Sequence, residues 1–207
     1  MGSQSACHIN KRQTKMLEQY KIKLASGSPR RQELLKGLEF DFEVVTKQGI
    51  SEDYPSNLQG GDIPLYIAKE KAAAYVDDMK VNDLIITADT IVWKDGKVLG
   101  KPKNEAEAIA MIKFLSGSTH QVYTGVCIRT KEKEDAFFVE STVRFTELTD
   151  EEITHYVERY KPMDKAGAYG IQEWIGYVGI EHIEGSYFNI MGLPVQKLWQ
   201  HLKAFAK

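Results

Sequence analysis

The chain has 207 residues, of which 43% are hydrophobic and 27% are charged, and its formal net charge is −2. This length and composition predict a globular protein with a substantial core and exclude a long disordered chain. No stretch approaches the roughly 20 apolar residues that a membrane-spanning helix needs. The near-neutral charge argues against a protein that binds DNA regardless of sequence, because such proteins carry a surplus of Lys and Arg.

The N-terminal segment and the cysteines bear on the cellular compartment. Residues 1–20 are polar and lack the apolar core of a secretory signal, and we interpret them as an N-terminal extension. The two cysteines, Cys7 and Cys127, provide neither a disulfide framework nor a cysteine-based metal site. We therefore expect a cytoplasmic protein with one folded domain at residues 21–207.

The first half of that domain predicts strands and helices in turn. Residues 21–26 alternate apolar and polar side chains, as a half-buried strand does. Ser28 and Pro29 then suit the N-cap and the first turn of a helix. A second strand is predicted at 40–45, and strong helix formers follow from Asp62.

The second half begins with DLIITADTIVW, in which the continuous apolar block Leu84 to Ile86 predicts a buried strand, and Asp95-Gly96 predicts a hairpin turn after it. Thr149 and Glu152 have the spacing of a helix capping box. The further predicted elements are strands at 122–128 and 136–145 and helices at 105–115, 151–160 and 194–205; residues 167–193 are glycine-rich and predicted to be irregular. Strands and helices intermingle throughout, which predicts an α/β fold. We expect a mixed, twisted sheet flanked by helices in a single folding unit, with one lobe or with two lobes around a cleft.

The segment SGSPRRQELL places two cations at a helix start. Backbone N–H groups and the positive end of the helix dipole lie there, so Arg30 and Arg31 are locally disfavoured unless an anion binds. A phosphate would be bound by the backbone donors and the guanidinium groups together. The alternative is that two solvated arginines begin a surface helix.

Asp89 ends the apolar run LIITAD, and a carboxylate at the carboxyl end of a buried strand marks a ligand site in many α/β sheets. It suits a general base or a metal ligand; the alternative is a turn aspartate bonded to nearby backbone. Lys71 shares a helix face with Ile67 and Ala68, which predicts that it points towards the core, and Lys101 follows a hairpin. Each lysine also suits a solvated surface position.

Common catalytic motifs are missing from the sequence. There is no GxxxxGK[ST], HExxH, GxSxG or helix-opening GxGxxG, which removes the usual support for P-loop, zincin, hydrolase and Rossmann interpretations. His120, His155 and His182 are scattered, and we interpret them as structural or exposed side chains rather than as a metal cluster.

Several segments together resemble the Maf family of nucleoside triphosphate pyrophosphatases, also called septum formation proteins. They are LASGSPRRQELL, the lysine of AKEKA, ITADTIV, the GKP exit of the hairpin, LSGSTHQVYTGV, DKAGAYGIQ and GSYFNIMGLP, in the family's order. The resemblance extends from Ile22 to about Leu202. It implies a Maf/ITPase-like fold and hydrolysis of a nucleoside triphosphate between its α- and β-phosphates, with a divalent cation, Mg²⁺ or Mn²⁺.

The resemblance also implies roles for individual residues. Asp89 matches the catalytic aspartate, and Glu33 matches an acidic residue of the first motif. If both face one cavity, they are natural oxygen ligands for the metal; which of them binds metal and which activates water stays open. The positions implied to bind the triphosphate are Ser28, Arg31, Lys71, Lys101 and Lys165.

Arg30, Thr90 and Gln172 match the specificity positions of the branch that acts on dTTP and UTP. We infer that the Gln172 amide pairs with the imide edge of thymine or uracil. This leading hypothesis describes an enzyme that removes pyrimidine triphosphates from the nucleotide pool, working as a homodimer and without nucleic acid or membrane partners. The alternative is a regulatory protein linked to septum formation that binds nucleotide or nucleic acid without hydrolysis.

Overall fold

The computed structural model of the chain describes residues 15–207. The strands are β1 (Lys21–Ala25), β2 (Glu43–Val45), β3 (Asp83–Lys94), β4 (Lys97–Leu99), β5 (Thr119–Arg129), β6 (Glu134–Phe145) and β7 (Ile180–Glu184). The α-helices are α1 (Pro29–Lys36), α2 (Asp62–Ala73), α3 (Glu105–Leu115), α4 (Asp150–Tyr160), α5 (Trp174–Gly179), α6 (Tyr187–Met191) and α7 (Val195–Phe205). Short 3₁₀ turns lie at Lys15–Leu17, Val76–Asp78 and Ala166–Ala168.

All these strands form one mixed sheet in the order β2-β1-β3-β5-β6-β7, with β4 paired to β3. The pairs β1–β2 and β1–β3 are parallel, whereas β3–β5, β5–β6 and β6–β7 are antiparallel. The expected α/β fold with a mixed sheet flanked by helices is confirmed.

Strand β3 changes partners along its length, and this change organises the core. Its first half pairs with β1 up to Ile86, and its second half continues alongside β5 as far as Trp93. Ala88 belongs to a core cluster under α1 and α7, whereas Val92 belongs to a second cluster under α3 and α4. Asp89 and Thr90 therefore lie where the two packed regions meet, as expected for two lobes around a cleft.

Helix α2 approaches strand β5 unusually closely. A Cβ atom at Gly125 would lie 2.3 Å from the backbone nitrogen of Leu65 and from the carbonyl carbon of Pro64, so no larger residue fits without displacing the helix. Ile67 and Ala68 of the same helix are buried against the sheet. This contact fixes the helix that carries Lys71.

Several predicted elements agree with the structure. The strand at the start of the domain and helix α1 have the expected positions, and Asp95 and Gly96 form the hairpin turn with positive φ values of 51° and 74°. The capping box is complete: Thr149 Oγ1 accepts from the backbone N–H of Glu152, and Glu152 Oε2 accepts from that of Thr149.

Other expectations need correction. The second strand is shorter than predicted, since β2 begins only at Glu43. The segment predicted to be irregular holds β7 and the short helices α5 and α6. Strand β7 lies at the edge of the sheet and has no buried residue, so its sequence shows no clear alternation of apolar and polar side chains. Leu17, assigned by sequence to the polar extension, is 3% exposed and packs in the core beneath β1.

Residues 1–14, including Cys7, lie outside the described residues, whereas Cys127 is a buried free thiol. Burial raises the pKa of Cys127 to about 12, so it stays protonated and unreactive. None of the helices within residues 15–207 has the length and apolarity to span a bilayer.

Candidate active site

A cavity of about 400 Å³ opens at the junction of the two core clusters. It brings together nearly all the residues that the sequence singled out: Ser28, Arg30, Arg31, Lys71, Asp89, Thr90, Lys101, Lys165 and Gln172. A second cavity of about 380 Å³ adjoins it and shares Arg30, Lys71 and Lys101 among its lining residues. The cationic helix start and the aspartate of β3 therefore face the same space.

The start of helix α1 forms one wall of the cavity. Ser28 is the N-cap, with an extended backbone at φ −73° and ψ 116°, and its side chain accepts a hydrogen bond from the backbone N–H of Arg31. Pro29 occupies the first helical position, where its missing N–H carries no cost. From this first turn Arg31 reaches Ala88 and Thr90 within β3, whereas Arg30 reaches Asp164.

Arg31 connects three parts of the chain. Its Nε donates to the carbonyl of Gly192 at 2.8 Å, its Nη1 to the carbonyl of Ala88 at 2.9 Å, and its Nη2 to Thr90 Oγ1 at 3.0 Å. Burial lowers the pKa of the Arg31 guanidinium, and the nearby Asp89 carboxylate partly opposes that effect. The ordinary pKa of an arginine side chain lies above 12, so the Arg31 guanidinium stays charged.

Lys71 links two carboxylates at the centre of the cavity. Its Nζ lies 2.7 Å from Asp89 Oδ1 and 2.7 Å from Glu52 Oε1. The Lys71 and Asp89 side chains are only 15% and 12% exposed, whereas Glu52 is 55% exposed. Desolvation opposes ionisation of Glu52, but the hydrogen bond and charge of Lys71 outweigh it and lower the pKa of this carboxyl. Both carboxylates are thus held beside one ammonium.

A second set of paired charges lies around Asp164 and Lys165 of the cavity lining. Arg30 Nη1 lies 2.6 Å from Asp164 Oδ2, and Lys165 Nζ lies 2.8 Å from Asp164 Oδ1. Lys165 Nζ also lies 3.0 Å from Glu173 Oε1. Although desolvation would raise it, the hydrogen bonds from Lys165 and Arg30 lower the pKa of Asp164 to about 2. The carboxylate is therefore ionised throughout the neutral range.

The rest of the cavity wall is less charged. It includes Ile91, Val92, Val122, Tyr169 and Ile190. Gln172 lies beside them, and its buried Oε1 has no hydrogen-bond partner among residues 15–207. A buried amide oxygen without a partner is unfavourable, so a ligand that donated a hydrogen bond there would relieve the cost. One part of the cavity suits an anion and another suits a flat, partly apolar group.

Two sequence-based expectations are wrong in detail. Asp89 does not end its strand, because β3 continues to Lys94; it lies three positions beyond Ile86, where parallel pairing with β1 stops. Glu33 is exposed on α1 and does not line the cavity. It follows Arg31 by two positions, which places it on a different side of the helix. The condition for a shared Glu33–Asp89 metal site is therefore not met.

The structure adds acidic residues that the sequence did not single out. Glu52 comes from the loop between β2 and α2, Asp164 precedes the glycine-rich segment, and Glu173 lies within that segment. The loop of Glu52 has no periodicity to indicate an inward side chain. Asp164 could have been noticed through its neighbour Lys165, since adjacent opposite charges before a glycine-rich turn are an unusual combination.

The donor chemistry of the site can be compared with that of divalent cations. Within residues 15–207, no group of three or more His, Cys, Asp or Glu side chains is arranged to hold a metal by itself. Asp89 and Glu52 nevertheless supply carboxylate oxygens on one cavity. Mg²⁺ is usually bound by one or two carboxylates, with waters and substrate phosphates completing its shell. The residues present fit such a shared site.

Fold and cavity together define an α/β protein with an acidic and basic cleft beside the central strand of a mixed sheet. A family model described as "Maf-like protein" matches residues 21–205. The chain belongs to this family, which confirms the resemblance of its motifs.

Curated relatives cover almost the whole chain. A protein of Phocaeicola vulgatus named dTTP/UTP pyrophosphatase is 60% identical over 187 residues, which are 90% of this chain and 97% of the relative. Proteins of the same name from Parabacteroides distasonis and Porphyromonas gingivalis are 59% and 53% identical, over 91% and 92% of this chain and 98% and 97% of theirs.

Solved structures give weaker similarities. A nucleoside-triphosphatase, dITP/XTP pyrophosphatase, from Mycobacterium abscessus is 16% identical, with a TM-score of 0.37, over 90% of this chain and 97% of that one. A HAM1 protein from Coxiella burnetii is 12% identical, with a TM-score of 0.38, over 59% of this chain and 70% of that one. At these scores neither similarity supports a conclusion about this chain.

Proposed function

We propose that this protein hydrolyses nucleoside triphosphates, dTTP and UTP among them, to the monophosphate and pyrophosphate. The observation that carries the proposal is the convergence of a largely buried carboxylate, Asp89, with several cationic side chains on one cavity. The relatives named dTTP/UTP pyrophosphatase, at 53% to 60% identity, support the same reaction and substrates.

Substrate binding follows from the charges of the cavity. The cavity suits a polyphosphate because four cationic side chains line it: Arg30, Lys71, Lys101 and Lys165. Lys101 is exposed, so its side chain can move to contact a bound polyphosphate. Charge-assisted hydrogen bonds to phosphate are stronger than neutral ones, so these cations supply most of the affinity. The adjoining cavity shares three of them, which gives the polyphosphate chain room to extend.

The chemical step needs a proton acceptor close to water and a stabilised leaving group. Asp89 accepts a proton from the attacking water while the water oxygen forms a bond to the α-phosphorus, and the bond from the α-phosphorus to the α,β-bridging oxygen breaks, so that this oxygen leaves with pyrophosphate. The ammonium and guanidinium groups offset the negative charge that develops on the departing pyrophosphate. Lys71 fixes the direction of the Asp89 carboxylate through its 2.7 Å hydrogen bond.

A divalent cation belongs to this proposal. Asp89 and Glu52 are the residues that would hold it, together with phosphate oxygens. When bound, Mg²⁺ or Mn²⁺ would supply Lewis-acid polarisation of the phosphate and lower the pKa of a bound water.

Base recognition involves the less charged wall. Once the Gln172 side chain turns its buried Oε1 towards the cavity, the amide oxygen accepts the imide N–H of thymine or uracil, and the amide nitrogen donates to a ring carbonyl. Thr90 also lines the cavity, and its hydroxyl is already bonded to Arg31 and Thr124. Arg30, the third position implied by the family, is held near the phosphate-binding wall by Asp164.

The alternative of a regulatory protein without hydrolysis is not favoured, because the relatives are named for a hydrolytic reaction. We also propose a homodimer in the cytoplasm that clears pyrimidine triphosphates from the nucleotide pool. Light scattering and localisation of a tagged protein would test the assembly and the compartment.

The decisive experiment is an assay of the purified protein with Mg²⁺ or Mn²⁺ against a panel of nucleoside triphosphates. Release of pyrophosphate and monophosphate, fastest with dTTP and UTP, is expected. If no triphosphate yielded pyrophosphate with either metal, the proposed reaction would be wrong. Saturable nucleotide binding without product would instead support the regulatory alternative.

A further inference from the structure

The ammonium group of Lys165 is buried in the cavity wall. Its side chain is 8% exposed, and its two anionic partners differ in accessibility: Asp164 is 56% exposed, whereas Glu173 is 19% exposed. A buried cation is tolerated only when anionic or polar groups satisfy it. Asp164 lies at the mouth of the cavity and also pairs with Arg30. Glu173, the less exposed partner, lies behind Lys165.

Glu173 is in turn held by the core of the molecule. Its Oε2 accepts a hydrogen bond from the hydroxyl of Tyr156, which is completely buried on helix α4. The Tyr156 oxygen itself accepts from the backbone N–H of Gly170 at 3.0 Å. Burial and the Glu173 carboxylate raise the pKa of Tyr156, so it remains a hydroxyl donor. A continuous path of hydrogen bonds thus connects helix α4 with the cavity lysine.

The backbone beside this pair leaves room for it. A Cβ atom at Gly170 would lie 2.9 Å from Glu173 Cδ and 3.1 Å from Lys165 Cε. The φ angle at Gly170 is not among the positive ones, so space and not backbone conformation requires a glycine here. A side chain at this position would have to displace the Glu173 carboxyl group or the Lys165 side chain.

We infer that Glu173, held by Tyr156, is a positioning residue that fixes the Lys165 ammonium for contact with the substrate's phosphates. An incoming phosphate takes the place of the exposed Asp164, while Glu173 keeps its hydrogen bond and holds Nζ at the cavity wall. This inference rests on the proposed function, in that the ligand is a nucleoside triphosphate.

The test compares Glu173→Gln and Tyr156→Phe with the control Tyr160→Phe. Tyr160 stacks on Tyr156 on the same helix, with ring centroids 5.1 Å apart, so the control makes the same chemical change nearby. The dissociation constant of α,β-imido-UTP and the kcat and KM for UTP are measured for each. We expect a roughly tenfold weaker affinity and higher KM for Glu173→Gln, with kcat lowered less than about threefold. Tyr156→Phe changes in the same direction, and Tyr160→Phe matches the wild type.

Double variants separate positioning from general destabilisation. Glu173→Gln should add no further loss of analogue affinity to Lys165→Met, because its effect acts through that lysine, but should keep its full effect beside Lys101→Met. Equal affinity of Glu173→Gln and wild type, or additive losses with Lys165→Met, would overturn the inference. If Glu173→Gln does not fold, Tyr156→Phe carries the same cycle.

The outcomes also distinguish this inference from the proposed function. A wild-type protein that binds the analogue but releases no pyrophosphate contradicts the proposed reaction, and the binding cycle still tests Glu173. A wild-type protein that is active, with Glu173→Gln unchanged in affinity and KM, contradicts only the positioning role.

Discussion

Lys71 donates a hydrogen bond of 2.7 Å to Asp89 Oδ1, and this pair joins helix α2 to the central strand β3. The ammonium also reaches Glu52, so one cation lies between two carboxylates. Because both members of the pair are largely buried, the Asp89 carboxylate has a fixed direction before any ligand arrives.

Asp89→Asn should retain nucleotide affinity and lose turnover. The amide keeps the size of the side chain but cannot accept a proton, and a positioned acid–base group typically contributes a factor of about 10² or more. Pyrophosphate release and binding of α,β-imido-UTP measure the two properties separately. Asp150→Asn, an exposed aspartate at the start of α4, is the control and should behave as wild type. Undiminished turnover of Asp89→Asn would show that another group accepts the proton.

Substitutions of Glu52 and Glu33 should differ in their effect on metal binding. Glu52→Gln should raise the Mg²⁺ concentration for half-maximal activity by about tenfold, because a carboxylate ligand is lost. Glu33→Gln should leave it unchanged, since Glu33 is exposed and does not line the cavity. Titration of activity with Mg²⁺ after treatment with a chelator measures both. A shift for Glu33→Gln alone would restore the assignment made from sequence.

Gln172→Leu should weaken UTP binding without destabilising the fold. Its Oε1 is buried and unpartnered within residues 15–207, so an apolar side chain removes an unfavourable group from the free protein. We expect KM for UTP to rise by about threefold to tenfold, the value of one or two hydrogen bonds to the base. The affinity for inorganic tripolyphosphate, which has no base, should not change; an equal loss for both ligands would argue against base recognition.

His120 predicts how stability responds to acid. It is completely buried, its Nε2 lies 2.8 Å from Tyr169 Oη, and burial, with the nearby charge of Lys94, lowers its pKa from 6.5 to about 3. The unfolded chain binds a proton below about pH 6.5 and the folded chain does not, so the free energy of unfolding falls as pH drops from that value towards 3. Above this window the group has no effect on the pH dependence.

Denaturant unfolding at about pH 7 and pH 5 measures this effect, which is expected to be roughly 2 kcal/mol from this group. His120→Gln should remove that part of the pH dependence, whereas His182→Gln, which changes an exposed histidine, should keep it. Identical pH dependence in the wild type and His120→Gln would mean that the buried ring is not responsible.

Gly125→Ala should destabilise the protein because its Cβ would meet the backbone of α2 at 2.3 Å. Overpacking of this kind costs about 1–3 kcal/mol, and the helix must shift to relieve it. Gly100→Ala is the control: nothing lies within 4 Å of its Cβ, and its stability should change by less than about 1 kcal/mol. Thermal and denaturant unfolding compare the two; similar losses would contradict the close contact between α2 and β5.

Periodicity and end signals predicted most of the framework. The apolar run of β3 and the capping box at Thr149 are local, so sequence alone identifies them. Strand β7 was missed because it lies at the sheet edge without buried positions, and its pairing with β6 depends on distant residues. Edge strands carry little hydrophobic alternation.

The site residues could likewise be predicted where a local pattern indicates the direction of the side chain, and not where that direction depends on distant residues. Lys71 could be assigned inward from its helix face, and the structure indeed brings it to Asp89. Glu52 lies in a loop, where direction is set by its contact with Lys71 and by no repeating pattern. Glu33 was assigned because it matches an acidic residue of the family's first motif, but it follows Arg31 by two positions, and rotation along the helix turns the two side chains apart.

Arg31 has a consequence for how the cleft is assembled. Its guanidinium is bonded to Ala88, Thr90 and Gly192, so helix α1, strand β3 and the turn after α6 are joined at one point. The rotamer entropy of this long side chain is lost when the chain folds, and capture of a ligand need not order it again. A lysine at position 31 would keep the positive charge but would connect fewer segments. The preorganisation of the cleft therefore depends on the shape of the guanidinium group as well as on its charge.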